Sequence, residues 1–137
     1  HEIRNLSEAV SYSDSRELQL SDELIVQTKI WIQDNLSKRS LISCLPEKLG
    51  VQKRTLNRRF KIATGKTPGE YLNEVRMNFA CDLLKNTDLS ILDIASFSGF
   101  SDNSWFSARF KQWSGSTPKA YRSSVRAKTF SASQTTT

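Results

Sequence analysis

The sequence has few of the side chains on which enzymes and metal sites most often depend. Its only histidine is His1, and its two cysteines, Cys44 and Cys81, lie far apart in the chain. No Cys-x-x-Cys spacing, glycine-rich phosphate loop or conspicuous pair of carboxylates is present. These absences argue against a zinc site, a cofactor and an enzyme. Both cysteines lie within apolar patterns, which is typical of reduced thiols in a protein core.

Long hydrophobic runs are also missing. No stretch of about 18 apolar residues and no charged-then-apolar leader is found, so the sequence predicts no membrane span or signal peptide and favours a soluble, cytoplasmic protein. The 137 residues suffice for one ordinary domain, or for two very small domains that share a core. Because the first residue is His1 and not Met, we expect the chain to be a piece of a longer polypeptide.

Acidic residues are scarce after the first quarter of the chain. Residues 1–37 carry three bases and seven acids, a net charge of −4, whereas residues 38–137 carry seventeen bases and seven acids, a net charge of +10. Such a basic block favours a polyanionic partner, nucleic acid first and an anionic membrane surface second. A basic face that serves only solubility is the alternative.

One segment of the sequence occurs twice. RFKIATGKTPGEY at 59–71 and RFKQWSGSTPKAY at 109–121 agree in seven places. In the shared Gly-x-Thr-Pro-x-x-Tyr pattern, Gly suits a left-handed helix stop, Thr can cap the next helix, Pro suits its first turn and Tyr can pack back. These residues are therefore predicted to be scaffold.

Apolar periodicity places helices around both copies. Ser21 is a candidate N-cap for a helix that runs to Leu36 and faces a core with Ile25, Ile32 and Leu36. Further helices are predicted over 43–49, 52–64, 69–85, 91–98, 102–114 and 118–126. In the 69–85 helix, the inward residues are predicted to be Leu72, Val75, Phe79, Ala80, Leu83 and Leu84.

The predicted fold is all-α, with two helix-turn-helix subdomains joined by a long linker helix. Residues 1–20 are assigned to a linker or remnant of an upstream domain, 21–85 to the first subdomain with the linker helix, 86–126 to the second subdomain, and 127–137 to a disordered tail.

The second helix of a helix-turn-helix unit can enter the major groove of DNA, although a plain helical bundle would give the same pattern. Charge placement favours DNA, because residues 52–66 hold six bases and no acid, and residues 103–137 hold six bases and no acid. Affinity should then fall steeply with salt.

Buried positions on these two helices leave other side chains free for DNA. Leu56 and Phe60 are predicted to face inward on the first helix, and Phe106 and Phe110 on the second. Arg and Asn can bind guanine and adenine edges bidentately. Candidate base contacts are Arg54, Thr55, Asn57, Arg58, Asn103, Ser104, Trp105 and Ala108, with Arg58 and Asn57 foremost. Candidate phosphate contacts are Lys53, Arg59, Lys61, Lys66, Arg109, Lys111 and Arg122.

From about Asp22 to Arg122, the chain resembles the DNA-binding domain of the AraC/XylS family of bacterial transcription regulators. The second half carries Ile94-Ala95, Gly99-Phe100, Phe106, Phe110-Lys111, Gly115, Pro118 and Tyr121-Arg122 of its signature. The first half agrees at Leu45, Gly50-Val51, Leu56, Arg58, Phe60, Gly65, Pro68, Tyr71-Leu72, Arg76, Ala80 and Leu83-Leu84. The segment RTLNRRFK at 54–61 is similar in sequence to the subgroup of the family that is fused to an amidotransferase-like domain.

The resemblance implies sequence-specific binding of double-stranded operator DNA by two recognition helices in successive major-groove segments, with RNA polymerase as a further partner. It also implies an upstream effector-binding or dimerisation domain. Two departures stand out. Pro46 replaces a common Ala and is tolerable only in a helix's first turn. Ala108-Arg109 stands where the family commonly has Arg and then a small residue. If Ala108 faces the groove, the second subdomain would mainly bind phosphates, and specificity would rest chiefly on the first.

Two rival functions remain open at the level of sequence. One is a non-specific architectural nucleic-acid or RNA binder. For such a protein, no single duplex would outcompete bulk DNA at fixed salt. The other is a DNA-repair module with Cys44 or Cys81 as methyl acceptor, which modification of either thiol by alkylated DNA would reveal.

Overall fold

The computed structural model describes the backbone of residues 22–136 and the side chains of residues 22–128. Every regular element in this range is an α-helix, which confirms the all-α class. The helices are α1 (22–34), α2 (Leu41–Leu49), α3 (Lys53–Thr64), α4 (Pro68–Asn86), α5 (Ile91–Phe97), α6 (Asn103–Ser114) and α7 (Pro118–Thr136). The predicted N-cap Ser21 and the segment 1–20 lie outside the described residues.

Packing divides the chain into two compact units. Of the described residues, the first unit comprises 22–34 and Ser40–Tyr71, and the second comprises Asn35–Arg39 and the chain from Leu72 onward. The sequence analysis placed the boundary near residue 85, whereas this division falls after Tyr71 and assigns most of α4 to the second unit. The reason is burial, because Met77, Ala80 and Leu84 of α4 join the apolar cluster of that unit.

The core of the first unit is built from α1, α2 and α3. Of the residues predicted to face it, Ile25 and Ile32 are buried, while Leu36 follows the helix and is half-buried. Thr28 is buried on the same face and donates its hydroxyl to the carbonyl of Leu24 at 2.7 Å. A polar side chain is thus accommodated in the core because its hydroxyl is satisfied within its own helix.

Helix α2 begins earlier than the sequence predicted. It starts at Leu41 and not near Ser43, and Pro46 lies inside it, not in its first turn. Leu41 and Leu45 are both buried, so core packing extends the helix toward its N-terminus although the proline removes one helical hydrogen bond. The helix ends as predicted at Gly50, whose φ of 68° is left-handed.

The two copies of the repeated segment have the same geometry. The rings of Phe60 and Tyr71 lie 5.5 Å apart at 67°, and those of Phe110 and Tyr121 lie 5.5 Å apart at 72°. Such edge-to-face pairs are a favourable aromatic arrangement. In each unit, the repeated Tyr therefore packs back onto the Phe of the preceding helix, as predicted.

The turn between these aromatic residues also follows the prediction. Gly65 and Gly115 adopt φ angles of 78° and 86°, and each amide closes the preceding helix. The Thr67 hydroxyl oxygen accepts from the Glu70 amide at 3.2 Å, and the Thr117 hydroxyl oxygen accepts from the Ala120 amide at 3.1 Å. The repeated residues thus act as scaffold.

The part of the second unit's core that α4 contributes contains one residue that the sequence analysis missed. Met77 of α4 is fully buried, whereas the predicted Val75, Phe79 and Leu83 are half-buried. The predicted Leu72, Ala80 and Leu84 are buried. The cluster is completed by Ile94, Ala95, Phe100, Phe106 and Phe110.

Helix α7 continues beyond its predicted end. It runs to Thr136, whereas the sequence predicted an end near Arg126 and a disordered tail from Ala127. No Gly or Pro follows Pro118, so no residue of the tail enforces a stop.

Candidate nucleic-acid interface

Two buried side chains orient helix α3. Leu56 and Phe60 are exposed by only 1% and 0%, as predicted, and they fix which side of the helix faces the core. Side chains one residue before or after each of them must therefore point to other faces. The left-handed Gly65 then ends the helix.

The outward side of α3, which we call the basic face, combines four cations, an amide and an apolar side chain. Its members are Lys53, Arg54, Asn57, Arg58, Lys61 and Ile62. Arg54, Arg58, Lys53 and Lys61 are exposed, and Asn57 is half-buried. Within the described part of the chain, none of the four cations forms an ion pair. Their charge is therefore not neutralised by the protein.

A shallow depression of about 700 Å³ runs along the basic face and reaches Thr67. All but one of its lining residues belong to the single helix α3, so no second wall opposes them. A small-molecule site would instead enclose its ligand on several sides. The shape suits a large, extended and anionic partner.

The remaining predicted contacts of the first unit are less exposed. Thr55, Arg59 and Lys66 are half-buried, and they are not among the residues that line the depression. Ile62, in contrast, is 79% exposed on the basic face and was not predicted. Its spacing of four residues after Arg58 would have revealed it, had apolar side chains been considered.

Helix α6 occupies the same place in the second unit. Its N-cap Asp102 accepts from the Trp105 amide at 2.6 Å. Phe106 and Phe110 are fully buried, as predicted. The predicted base contacts Asn103, Ser104, Trp105 and Ala108 are all exposed and form what we call the α6 front.

Two side chains of α6 stack on each other. The guanidinium carbon of Arg109 lies 4.9 Å from the ring centroid of Trp105, one helical turn away. Trp105 is 54% exposed, so its ring belongs to the surface and not to the core. The stack places Arg109 beside the α6 front, although the sequence assigned it to phosphate. Lys111 is exposed.

Arg122 has a structural role that the sequence analysis did not foresee. Its Nε donates to the carbonyl of Leu84 at 3.1 Å, and Nη2 donates to the carbonyl of Thr87 at 3.2 Å. These carbonyls lie at the C-terminal end of α4, where helical acceptors need partners. Arg126 also donates to Thr87 and forms an ion pair with Asp88 at 2.9 Å. Arg122 therefore caps α4 and differs from the other predicted phosphate contacts.

Two kinds of feature are absent from the described residues. No three side chains of His, Cys, Asp or Glu come together as a group that could hold a metal ion. No helix in that range combines the length and the apolar character needed to cross a membrane.

Comparison with known proteins gives concordant results. A family model described as a helix-turn-helix domain matches residues 45–124. The transcriptional activator RhaS of Citrobacter koseri is 35% identical over 92 residues, and that of Pectobacterium carotovorum is 38% identical over 92 residues. In both cases the match covers 67% of this chain and 33% of the relative. The chain thus spans about a third of the length of these curated relatives.

Solved structures show the same fold. The C-terminal domain of AraT, a response regulator from Geobacillus stearothermophilus, has a TM-score of 0.72 at 30% identity, over 74% of this chain and 84% of that one. The DNA-binding domain of the transcriptional factor AdpA, solved in complex with a target DNA, has a TM-score of 0.72 at 29% identity, over 76% and 94%. With the family model covering more than half of the sequence, the chain belongs to the family of AraC-type helix-turn-helix domains.

Proposed function

We propose that this domain binds double-stranded DNA sequence-specifically through α3 and α6 and regulates bacterial transcription. The observation that carries the proposal is the basic face of α3, where four exposed cations lack acidic partners in the described part of the chain. Unneutralised cations on a convex helix suit the phosphates that border a major groove. The AdpA domain, which has the same fold, was solved with a target DNA.

Base specificity in the first unit is assigned to four residues of α3. Arg58 and Arg54 are exposed and carry forked donors that match guanine O6 and N7. Asn57 can bind adenine N6 and N7, and Thr55 can donate or accept at a base edge. Their half-buried positions restrict Asn57 and Thr55 to a few orientations, which favours specific contacts over general ones.

Phosphate contacts flank this central group. Lys53 and Lys61 are exposed at the two ends of the basic face, and Arg59 and Lys66 lie half-buried beside it. Such contacts position the protein on the duplex without selecting a sequence. In the second unit, Lys111 has this role.

The α6 front provides a second set of base contacts in a neighbouring segment of the major groove. Asn103 and Ser104 offer polar groups, Trp105 an aromatic edge and Ala108 a methyl that can contact a thymine methyl. Asn103 accepts a hydrogen bond from the Ser107 hydroxyl at 3.2 Å, which restrains its amide group. The use of both units on one DNA molecule is supported by the repeat and by the family.

The domain acts as part of a larger regulator in the cytoplasm. The matched RhaS proteins are about three times as long as the matched region, and they are transcriptional activators. We infer an additional region that senses an effector or mediates dimerisation, of the amidotransferase-like type suggested by residues 54–61, and contact with RNA polymerase during regulation.

Selection of bound duplexes from a random pool tests this function. The wild-type domain should enrich one sequence, and Arg58→Ala should relax a single position at a cost of about 1 to 3 kcal/mol. Arg59→Ala, a matched change at the next residue, should weaken binding to all sequences alike. If bulk DNA competes as well as every selected duplex at fixed salt, the domain is a non-specific binder and the proposal fails.

A further inference from the structure

The second recognition helix has an exposed position that cannot bind guanine. Ala108 lies on the α6 front, and its methyl group offers neither charge nor a hydrogen-bond donor. The neighbouring Arg109 has both. If Arg109 contacted only phosphate, as the sequence suggested, α6 would have no side chain with a forked pair of donors at its front.

The Trp105 stack changes the expected role of Arg109. Because residues four apart lie on one side of a helix, the contact at 4.9 Å brings the guanidinium to the side of α6 that carries Trp105. The backbone of Trp105 is itself fixed, since its amide donates to the Asp102 carboxylate at 2.6 Å. Arg109 is exposed and forms no ion pair within the described residues.

A guanidinium that contacts an aromatic ring through its planar face keeps its N–H donors, which point outward in that plane, available for hydrogen bonds. The indole also restricts the rotamers of a long and flexible side chain, so less conformational freedom is lost when a base is bound. A lysine at the same position would lack the planar fork.

We propose that Arg109, held by Trp105, is the guanine-binding residue of the second unit, and that it fills the role which the side chain at position 108 cannot. Arg109 donates to O6 and N7 of one guanine, and Trp105 is its positioning residue. This inference rests on the proposed function. It also predicts that the second unit contributes to base selection in addition to binding phosphates.

The test uses the duplex selected by the wild-type domain and replaces its guanines one at a time with 7-deazaguanine, which lacks the N7 acceptor. For the wild type, one replacement in the half bound by α6 should weaken binding roughly tenfold. Arg109→Ala should lose affinity for the unmodified duplex by about five- to 150-fold and become insensitive to that replacement. Arg109→Lys should recover only part of the affinity.

Variants of Trp105 separate positioning from direct contact. Trp105→Ala should reduce discrimination at the same guanine, whereas Trp105→Phe, which keeps an aromatic face, should retain most of it. Thermal unfolding of each variant checks that the helix still forms, and Arg109→Lys serves as the conservative variant if Arg109→Ala unfolds.

Two outcomes would overturn the inference. If Arg109→Ala weakens binding equally on every sequence, Arg109 is a phosphate contact. If the affinity for DNA does not change, Arg109 only packs on Trp105 at the surface and does not contact DNA. In either case, continued selection of one sequence by the wild-type domain would leave the proposed function intact. Failure of the wild type to select any sequence would instead refute the proposed function itself.

Discussion

The Nε atom of Arg76 donates to the carbonyl oxygen of Leu36 at 2.7 Å, and Nη2 donates to the carbonyl of Lys38 at 3.1 Å. The guanidinium also lies 5.9 Å from the ring centroid of Phe100. Partial burial lowers the pKa of Arg76 through desolvation. Within the second unit, one side chain thus ties the segment after α1 to α4 and to the turn before α6.

Arg76→Ala should lower the free energy of unfolding by about 2 to 3 kcal/mol, because two charge-assisted hydrogen bonds are lost and their carbonyl acceptors are left unpaired. Arg76→Lys should recover less than half of the free energy of unfolding that Arg76→Ala loses, since an ammonium group cannot reach both carbonyls as a planar fork does. Urea unfolding measures the change. Lys85→Ala, an exposed change in the same helix, is the control and should cost under about 0.5 kcal/mol. Equal effects of the two alanine variants would contradict this role of Arg76.

The glycines that end α2 and follow α5 should differ in their tolerance of alanine. At Gly99, φ is 87° and an added Cβ would lie 2.6 Å from the Leu36 carbonyl oxygen and 2.7 Å from Arg76 Nε. At Gly50, φ is 68° but nothing lies within 4 Å of such an atom. Gly50→Ala should therefore cost only the left-handed backbone strain, about 1 to 2 kcal/mol, and Gly99→Ala at least about 2 kcal/mol more. Thermal or urea unfolding of both variants would show the difference, and similar costs would refute it.

Salt dependence should distinguish phosphate contacts from base contacts on α3. If about six cations neutralise phosphates, affinity for the selected duplex should fall roughly a thousandfold between about 50 and 200 mM salt. Lys61→Ala should make the log–log slope shallower by about 1, whereas Asn57→Ala should lower affinity and leave the slope unchanged. Fluorescence anisotropy titrations at four salt concentrations measure both slopes. A slope that Lys61→Ala does not change would remove Lys61 from the phosphate contacts.

The second unit should lose stability at alkaline pH. Burial raises the pKa of the Cys81 thiol above its ordinary value, against the opposing effect of the Tyr121 hydrogen bond, and the same hydrogen bond raises the pKa of Tyr121. Because the pKa values of both groups are raised in the folded state, the folded protein holds these protons more tightly than the unfolded chain does. The resulting stability is present below the ordinary thiol pKa of about 8.5 and is lost as the pH rises through the folded values. Urea unfolding at pH 7 and 10 should show a decrease that is smaller in Cys81→Ala than in the wild type.

The same pKa direction argues against Cys81 as a methyl acceptor. A thiol that is kept protonated is a weak nucleophile, so Cys81 should react with iodoacetamide at pH 7 more slowly in the folded protein than in urea. Mass spectrometry of the alkylated peptides measures the ratio. Transfer of a methyl group from alkylated DNA to Cys81 would revive the repair function.

Much of this molecule was predictable because its determinants are local. The repeated Gly-x-Thr-Pro-x-x-Tyr segment predicted the turns at Gly65 and Gly115. Apolar spacing predicted that Leu56 and Phe60 would be buried. Ile62 could have been identified on the basic face by its spacing of four residues after Arg58. Pro46 could not, because its tolerance inside α2 depends on the burial of Leu41 in a core that sequence periodicity does not describe.

By itself, the sequence determined the number and order of the helices predicted after residue 21 and the exclusion of acids from α3, since periodicity, turn residues and charge are properties of neighbouring positions. Tertiary structure alone decided that Arg122 caps α4 and that α4 packs mainly with the second unit. The stack of Arg109 on Trp105 was equally beyond the sequence. A long, flexible cation can reach phosphate, carbonyl or aromatic ring with similar ease, and only the positions of its neighbours in space select among them.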